Sequence, residues 1–181
     1  MPATYYPAVS GPVTRPLSAS SSSPGSIAGE HQFPLFGALI GGKLVNLGTD
    51  TLMAGLITSG TFTWGPVPQA YQYVSQFLAG DGTHGALTEV ATSGTGYARQ
   101  ALRTVSFITS GETSTLACAN IEWNPATFSA SYAFFYDATV GSGDASHPIL
   151  AYWDFGTSEA ASNTSFTLQI SASGLAAWTS S

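Results

Sequence analysis

The stretch EVATSGTGYARQAL, residues 89 to 102, decides between two folds. A glycine-rich loop followed by a cation is typical of a phosphate-binding loop in an α/β fold, and it also suits a tight turn that enters a β-strand. A P-loop requires a lysine and then a helix, and a dinucleotide-binding loop requires a third glycine and a helix. Here Tyr97 and Arg99 follow the glycines, and strand-forming residues come next. The stretch therefore predicts a turn into a strand.

We predict a structural role for this turn. The glycines supply its backbone conformation, the tyrosine packs at its corner, and the arginine is a lone cation that pairs with a carboxylate such as Glu89 or Asp137. The predicted structural residues are Gly94, Gly96, Tyr97 and Arg99.

Short strand-like segments surround the turn from about residue 33 onward, separated by Gly, Pro, Ser, Asn and Asp. In SFTLQIS, Phe166, Leu168 and Ile170 share one face. In ARQALRTVSFI, Leu102, Thr104 and Ile108 are predicted to face away from Arg103, Val105 and Phe107. Two segments, QAYQYVSQFLAG and DTLMAGLITSG, also fit a short helix. The pattern predicts an all-β fold, an antiparallel β-sandwich that is jelly-roll-like.

The N-terminal region has a different composition. Its first thirty residues hold five prolines and a serine run without helical or alternating periodicity, so they should not build a core. We predict an extended arm over residues 1–35 and a β-sandwich domain over residues 36–181. The arm's apolar anchors are predicted to contact other subunits; they are Tyr5, Tyr6, Pro7, Val9, Val13 and Pro16.

Composition limits the function classes. Only 8 % of the 181 residues are charged, and the formal net charge is −6. No basic patch is available for nucleic acid, and the apolar run FPLFGALIGG is too short to span a bilayer. The N-terminus lacks the basic start and apolar segment of a signal peptide, which predicts a cytosol-like site of synthesis. Weakly charged surfaces suit a β-protein that packs against other subunits.

The sequence also offers alternatives to a purely structural role. The loops DGTH and DASH each place a carboxylate and an imidazole three residues apart, which could hold a metal. Paired carboxylates for glycoside hydrolysis could come from Glu112, Glu122, Asp137 and Asp154. Cys118 has no cysteine partner and suits a small buried hydrophobe. We expect no catalytic residues, no cofactor and no metal, and therefore no enzyme.

The motifs in their order resemble a family of small virion structural proteins of tailed bacteriophages. The resemblance rests on LGTDTLMAGLITS, YQYVSQFL, LTEVATSGTGYARQAL, IEWNPATFSASYAFFYDA, PILAYWDFG and SFTLQISASG, and it covers roughly residues 44 to 178. It implies location in a virion, assembled in the host cytoplasm, without catalytic residues. The proline- and serine-rich arm is outside the common pattern.

The resemblance and the arm together predict a capsid decoration (cement) protein. Its partners would be the major capsid protein and copies of itself, with no nucleic acid or membrane. An alternative is a minor tail or tail-fibre-associated protein, whose partners would be tail components. A third hypothesis is a carbohydrate-binding module that uses Trp64, Trp123 or Trp153 as a sugar platform.

Overall fold

The computed structural model describes residues 16–19, 25–26, 30–32, 49–59, 73–79, 86–110, 113–171 and 174–179. Within these ranges the protein is mostly antiparallel β-structure, as the sequence predicted, with a short helix, α1, at Val74–Ala79. The strands are β1 Pro16–Ala19, β2 Gly25–Ser26, β3 Glu30–Gln32, β4 Leu52–Ser59, β5 Thr88–Glu89, β6 Gln100–Ala101, β7 Ser106–Ser110, β8 Thr113–Ala117, β9 Ile121–Asp137, β10 Ile149–Leu168 and β11 Ala176–Thr179.

Two long antiparallel strands, β9 and β10, form the centre of the larger sheet. Its order is β2-β1-β10-β9-β4-β5, with β3 also pairing β10 and β6 also pairing β4. A smaller sheet has the order β11-β8-β7. The glycine-rich turn at residues 93–95 connects β5 to β6, both of which pair with β4.

The larger sheet is buried on both faces, which explains the uninterrupted apolar run in YAFFYD. Side chains alternate between the faces of a strand. Phe135 accordingly belongs to one buried cluster with Trp123 and Trp153, while Phe134 belongs to a second cluster. Helix α1 covers the second face, where Phe77 lies 5.6 Å from the ring of Phe134, centroid to centroid. Burial on both faces removes the polar alternation that an exposed strand would show.

The smaller sheet contributes to the first of these clusters. Leu116 of β8 is 1 % exposed and is buried with Trp123 and Phe166. Leu175, the residue before β11, is buried in the same cluster, and the half-buried Cys118 packs against this cluster.

The segment around residues 74–79, for which the sequence left a strand and a short helix open, is a helix, because Val74 and Phe77 lie three apart and both pack against the sheet. Two local predictions need correction. SFTLQIS is not a separate strand: residues 165–168 form the end of β10, which begins at Ile149 and has a register shift between residues 154 and 159. ARQALRTVSFI is not one strand. It breaks after β6, where Thr104 has φ +53°, so Leu102 is buried while Ile108 is 57 % exposed.

Candidate functional site

The glycine-rich turn packs directly on the central strand. Gly94 and Gly96 have φ values of +73° and +72°, a conformation that L side chains rarely adopt. The carbonyl oxygen of Thr95 accepts a hydrogen bond of 2.8 Å from the amide of Thr127 on β9. A Cβ atom on Gly96 would overlap the carbonyl oxygen of Pro125, whereas one on Gly94 would meet open space. Of these two glycines, Gly96 is therefore the one required both by its φ and by close approach.

Tyr97 is the buried corner of the turn, only 3 % exposed. Its hydroxyl accepts a hydrogen bond from the amide of Leu56 at 3.0 Å and donates one to Glu89 Oε1 at 2.6 Å. Burial raises the pKa of Tyr97, and the hydrogen bond to Glu89 raises it further. The ring stacks on Trp123, with the centroids 6.2 Å apart. Tyr97 thereby joins β4, β5 and β9.

Arg99 lies next to this corner and uses its whole guanidinium group. Nε and Nη2 donate to the two carboxylate oxygens of Glu89, each at 2.7 Å. Nη1 and Nη2 donate to the two oxygens of Asp144 at 2.6 and 2.8 Å, and Nη1 also reaches the Tyr136 hydroxyl at 3.4 Å. These contacts occupy the five N–H donors that an arginine has. No N–H of the Arg99 side chain remains to bind an anion, which argues against a phosphate site built on this arginine.

Aromatic rings enclose the arginine from the sheet side. Its Cζ atom lies 5.2 Å from the ring centroid of Tyr136 and 5.4 Å from that of Phe134, within the range of a cation–π contact. His147 stacks on Tyr136 with an interplanar angle of 23°, and its Nδ1 lies 3.7 Å from Asp144 Oδ1. The arginine side chain is 20 % exposed. The ion pairs are thus partly shielded from water.

The charges in this cluster stabilise one another. Burial alone would lower the pKa of Arg99, but the hydrogen bonds to Glu89 and Asp144 raise it above its usual value. The hydrogen bond from Arg99 holds the pKa of Asp144 below its usual value, although burial opposes this. Arg99 and Asp144 therefore both remain charged at neutral pH.

The cluster connects distant segments of the chain. Asp144 belongs to the loop at residues 138–148, and its carbonyl oxygen accepts a hydrogen bond from the amide of Ser75 in α1 at 2.9 Å. The carbonyl oxygen of His147 accepts one from the amide of Val74 at 3.0 Å. Arg99 thus holds a loop that in turn holds the start of α1.

The sequence identified one of the two carboxylates. Glu89, ten residues before Arg99, is a partner as predicted, but Asp137 is not. The second partner is Asp144, which belongs to the DASH loop that suggested a metal ligand. The sequence feature that could have indicated this ion pair is a carboxylate in a glycine-rich turn. The Arg99–Asp144 pair could not be predicted from the sequence, because Asp144 is 45 residues away and its loop reaches Arg99 only through the pairing of β9 with β4.

Asp137 instead occupies a buried position at the end of β9. It is 0 % exposed, and its Oδ1 accepts a hydrogen bond from the amide of Thr139 at 2.7 Å. Burial raises the pKa of Asp137, and the neighbouring carboxyl group of Asp50 raises it further. The two carboxyl groups form an acidic pair where β9 ends and β4 begins.

The pH dependence of unfolding tests this acidic pair. An acid with a raised folded-state pKa stabilises the fold at low pH, and that stabilisation falls as pH rises from the unfolded value of 3.8 through the folded one. Asp50→Asn should reduce the fall, because it removes the neighbouring charge. Urea unfolding between about pH 4 and pH 8 measures it. Asp154→Asn, whose carboxylate accepts from the amide of Gly156, is the control; equal profiles for Asp50→Asn and wild type would contradict the pair.

Several predicted residues lie outside the described part of the chain. They are Tyr5, Tyr6, Pro7, Val9, Val13, Trp64, Asp81, His84 and Glu112. Pro16 begins β1. Within the described ranges, no group of three or more His, Cys, Asp or Glu side chains could hold a metal ion.

The remaining carboxylates and tryptophans do not form the sites considered from the sequence. Glu122 and Asp137 lie at opposite ends of β9, and Asp154 lies on β10 opposite Tyr132. Trp123 and Trp153 are 1 % and 0 % exposed, so the proposal that either is a sugar platform is wrong. Their rings pack in the core because both faces of the sheet are covered.

Comparisons with protein families, with curated proteins and with solved structures find no match to this chain. None of the helical structure in the described ranges is long and apolar enough to cross a membrane.

Proposed function

We propose that the chain is a structural protein of a tailed-bacteriophage virion, a decoration (cement) protein that binds the outer capsid shell. In this proposal the larger and smaller sheets pack as a jelly-roll-like β-sandwich. The N-terminal arm ties neighbouring subunits together by adding strands to their sheets. The major capsid protein and further copies of the chain are its partners.

The pairing of N-terminal segments with β10 carries this proposal. In β1, Leu17 pairs with Leu168, and in β3, His31 pairs with Tyr152. Both strands are antiparallel to β10 and lie on the side away from β9. Such pairing depends on backbone hydrogen bonds, so the same segment of another copy can replace it without a new sequence requirement.

The small number of charged groups and an exposed apolar side chain support contacts with neighbouring subunits. The chain has only four basic residues, and one of them, Arg99, forms ion pairs with Glu89 and Asp144 within the fold. Ile108 is 57 % exposed on β7, which is an edge strand of the smaller sheet. An edge strand with an exposed apolar side chain is a natural contact for a neighbouring subunit.

A binding experiment with purified shells tests the role of the arm. Full-length protein, a variant lacking residues 2–32 and a double variant Leu17→Pro/His31→Pro are added to particles that lack this chain. Because proline removes a ladder donor, the double variant should block strand addition even if the deletion fails to fold. We expect occupancy to fall at least about tenfold, corresponding to roughly 1.4 kcal/mol of binding free energy.

Particle composition separates the capsid from the tail. Decoration predicts tens to hundreds of copies in each particle, whereas a minor tail protein is present in only a few. Quantitative mass spectrometry of virions gives this number. Full shell occupancy by both arm variants would contradict the cementing role, and a few copies in each particle would favour the tail.

A further inference from the structure

A polar cavity of about 250 Å³ lies where β6 ends and β9 begins, apart from the Arg99 cluster. Glu122 and Asn124 are exposed on one face of β9. Trp123, which lies between them in the sequence, and Ile121, which precedes them, are buried. The polar residues that line this cavity, called here the β6–β9 groove, are Gln100, Arg103, Asn120, Glu122 and Asn124.

The groove holds hydrogen-bonding groups that the fold does not use. Arg103 is exposed, and its guanidinium makes no ion pair or hydrogen bond with another residue in the described ranges, in contrast to Arg99. Asn120 accepts a hydrogen bond from the amide of Ile170 through Oδ1 at 2.9 Å, which leaves its two N–H donors for a ligand. Glu122 accepts one from Ser165 Oγ at 2.7 Å and retains further acceptor capacity.

The walls of the groove are fixed by the surrounding fold. The carbonyl oxygen of Arg103 accepts a hydrogen bond of 2.8 Å from the amide of Ala119, and Trp123 Nε1 donates to the carbonyl oxygen of Ala98 at 2.7 Å. Thr104, beside Arg103, has φ +53°. A β-branched residue in this conformation persists only where the surroundings impose it, and such positions are concentrated at ligand sites.

The lining selects among ligand classes. An apolar ligand would leave the amides and both charges without partners. A phosphate would meet the carboxylate of Glu122 as well as Arg103, on a chain of net charge −6. A hydroxyl group can donate to Glu122 and accept from Arg103 or an amide at the same time. The volume of the groove is below the roughly 300–1,000 Å³ of pockets for drug-sized ligands. A groove of this smaller size fits one sugar ring.

We propose that the β6–β9 groove binds one neutral hexose or N-acetylhexosamine unit of a carbohydrate. Glu122 accepts hydrogen bonds from the sugar hydroxyls. Arg103 and the amides of Gln100, Asn120 and Asn124 donate to them. The site does not depend on a tryptophan platform, and it stands independently of the position of the protein in a virion.

NMR titration of the full chain tests the proposal. The probes are D-glucose, D-galactose, D-mannose and N-acetyl-D-glucosamine, with inorganic phosphate as the competing class. We expect at least one sugar to shift the side-chain NH₂ signals of Gln100, Asn120 and Asn124, and phosphate to leave them unchanged. These signals report on the groove directly, because each belongs to a lining residue.

Three variants locate the binding in the groove. Glu122→Gln and Arg103→Ala should each weaken the sugar affinity about tenfold or more, since each removes a charge-assisted hydrogen bond. Glu159→Gln is the matched control, because Glu159 also accepts from a hydroxyl, that of Thr157, but lies outside the groove; its affinity should not change. Absence of shifts with all four sugars, shifts with phosphate instead, or unchanged affinity in both groove variants would overturn the proposal.

Discussion

Replacing Arg99 by alanine is expected to lower the free energy of unfolding by about 2–4 kcal/mol. The change removes the partner of two carboxylates, Glu89 and Asp144, which are 23 % and 35 % exposed and cannot both regain full hydration. Loss of a fully buried pair costs about 3–5 kcal/mol, and the partial exposure here places the expected value below that. Urea unfolding at neutral pH measures the effect.

Arg99→Lys is the matched control for charge. Lysine keeps the positive charge but lacks the planar fork that bonds both oxygens of each carboxylate. We expect a loss of about half that of the alanine variant. Equal losses in the two variants would show that the geometry of the guanidinium is unimportant, and a loss below about 1 kcal/mol in Arg99→Ala would contradict the proposed stabilisation.

Acidification should reduce the difference between wild type and Arg99→Ala. The pKa of Asp144 is lowered in the folded state, so its stabilising contribution is complete above its usual value of 3.8 and is lost as pH falls through the lower folded value. The same variant should loosen α1, because the loop that Arg99 holds accepts hydrogen bonds from Val74 and Ser75. Faster amide hydrogen exchange in α1 would report this.

Replacing Gly96 by alanine is expected to lower the free energy of unfolding by about 3–4 kcal/mol, against about 1 kcal/mol for Gly94→Ala. Both residues have positive φ, so both variants carry the conformational penalty of a side chain in the left-handed region. Only at Gly96 does the new Cβ overlap a backbone atom, the carbonyl oxygen of Pro125. That overlap must displace the turn and weaken the hydrogen bond between Thr127 and Thr95.

The pair of glycine variants is informative because they differ in one respect. Both sit in the same exposed turn, and both change the same number of atoms. Urea midpoints measured side by side give the difference directly. Equal losses would mean that the turn does not pack closely on β9, and a larger loss at Gly94 would reverse the assignment of which glycine the fold requires.

The sequence alone determined the class of the fold and the nature of the turn. Alternation at Phe166, Leu168 and Ile170 predicts a strand because side chains in extended backbone repeat every two residues, and these positions are buried or half-buried within β10 and just after it. The absence of a lysine and a helix after Gly96 excluded a phosphate loop. The sequence offered Glu89 and Asp137 as partners for Arg99, and the first of these is confirmed.

Only the tertiary structure decided which distant segments meet. Helix α1 is short, and the residues that it packs on the larger sheet are apolar. A short apolar run has no period that distinguishes a helix from a strand. The second partner of Arg99, besides Glu89, is Asp144 and not Asp137, because the pairing of β4 with β9 buries Asp137 while the following loop turns back toward Arg99. Local sequence encodes backbone periodicity and turns, but contacts across 45 residues depend on the packing of the whole sheet.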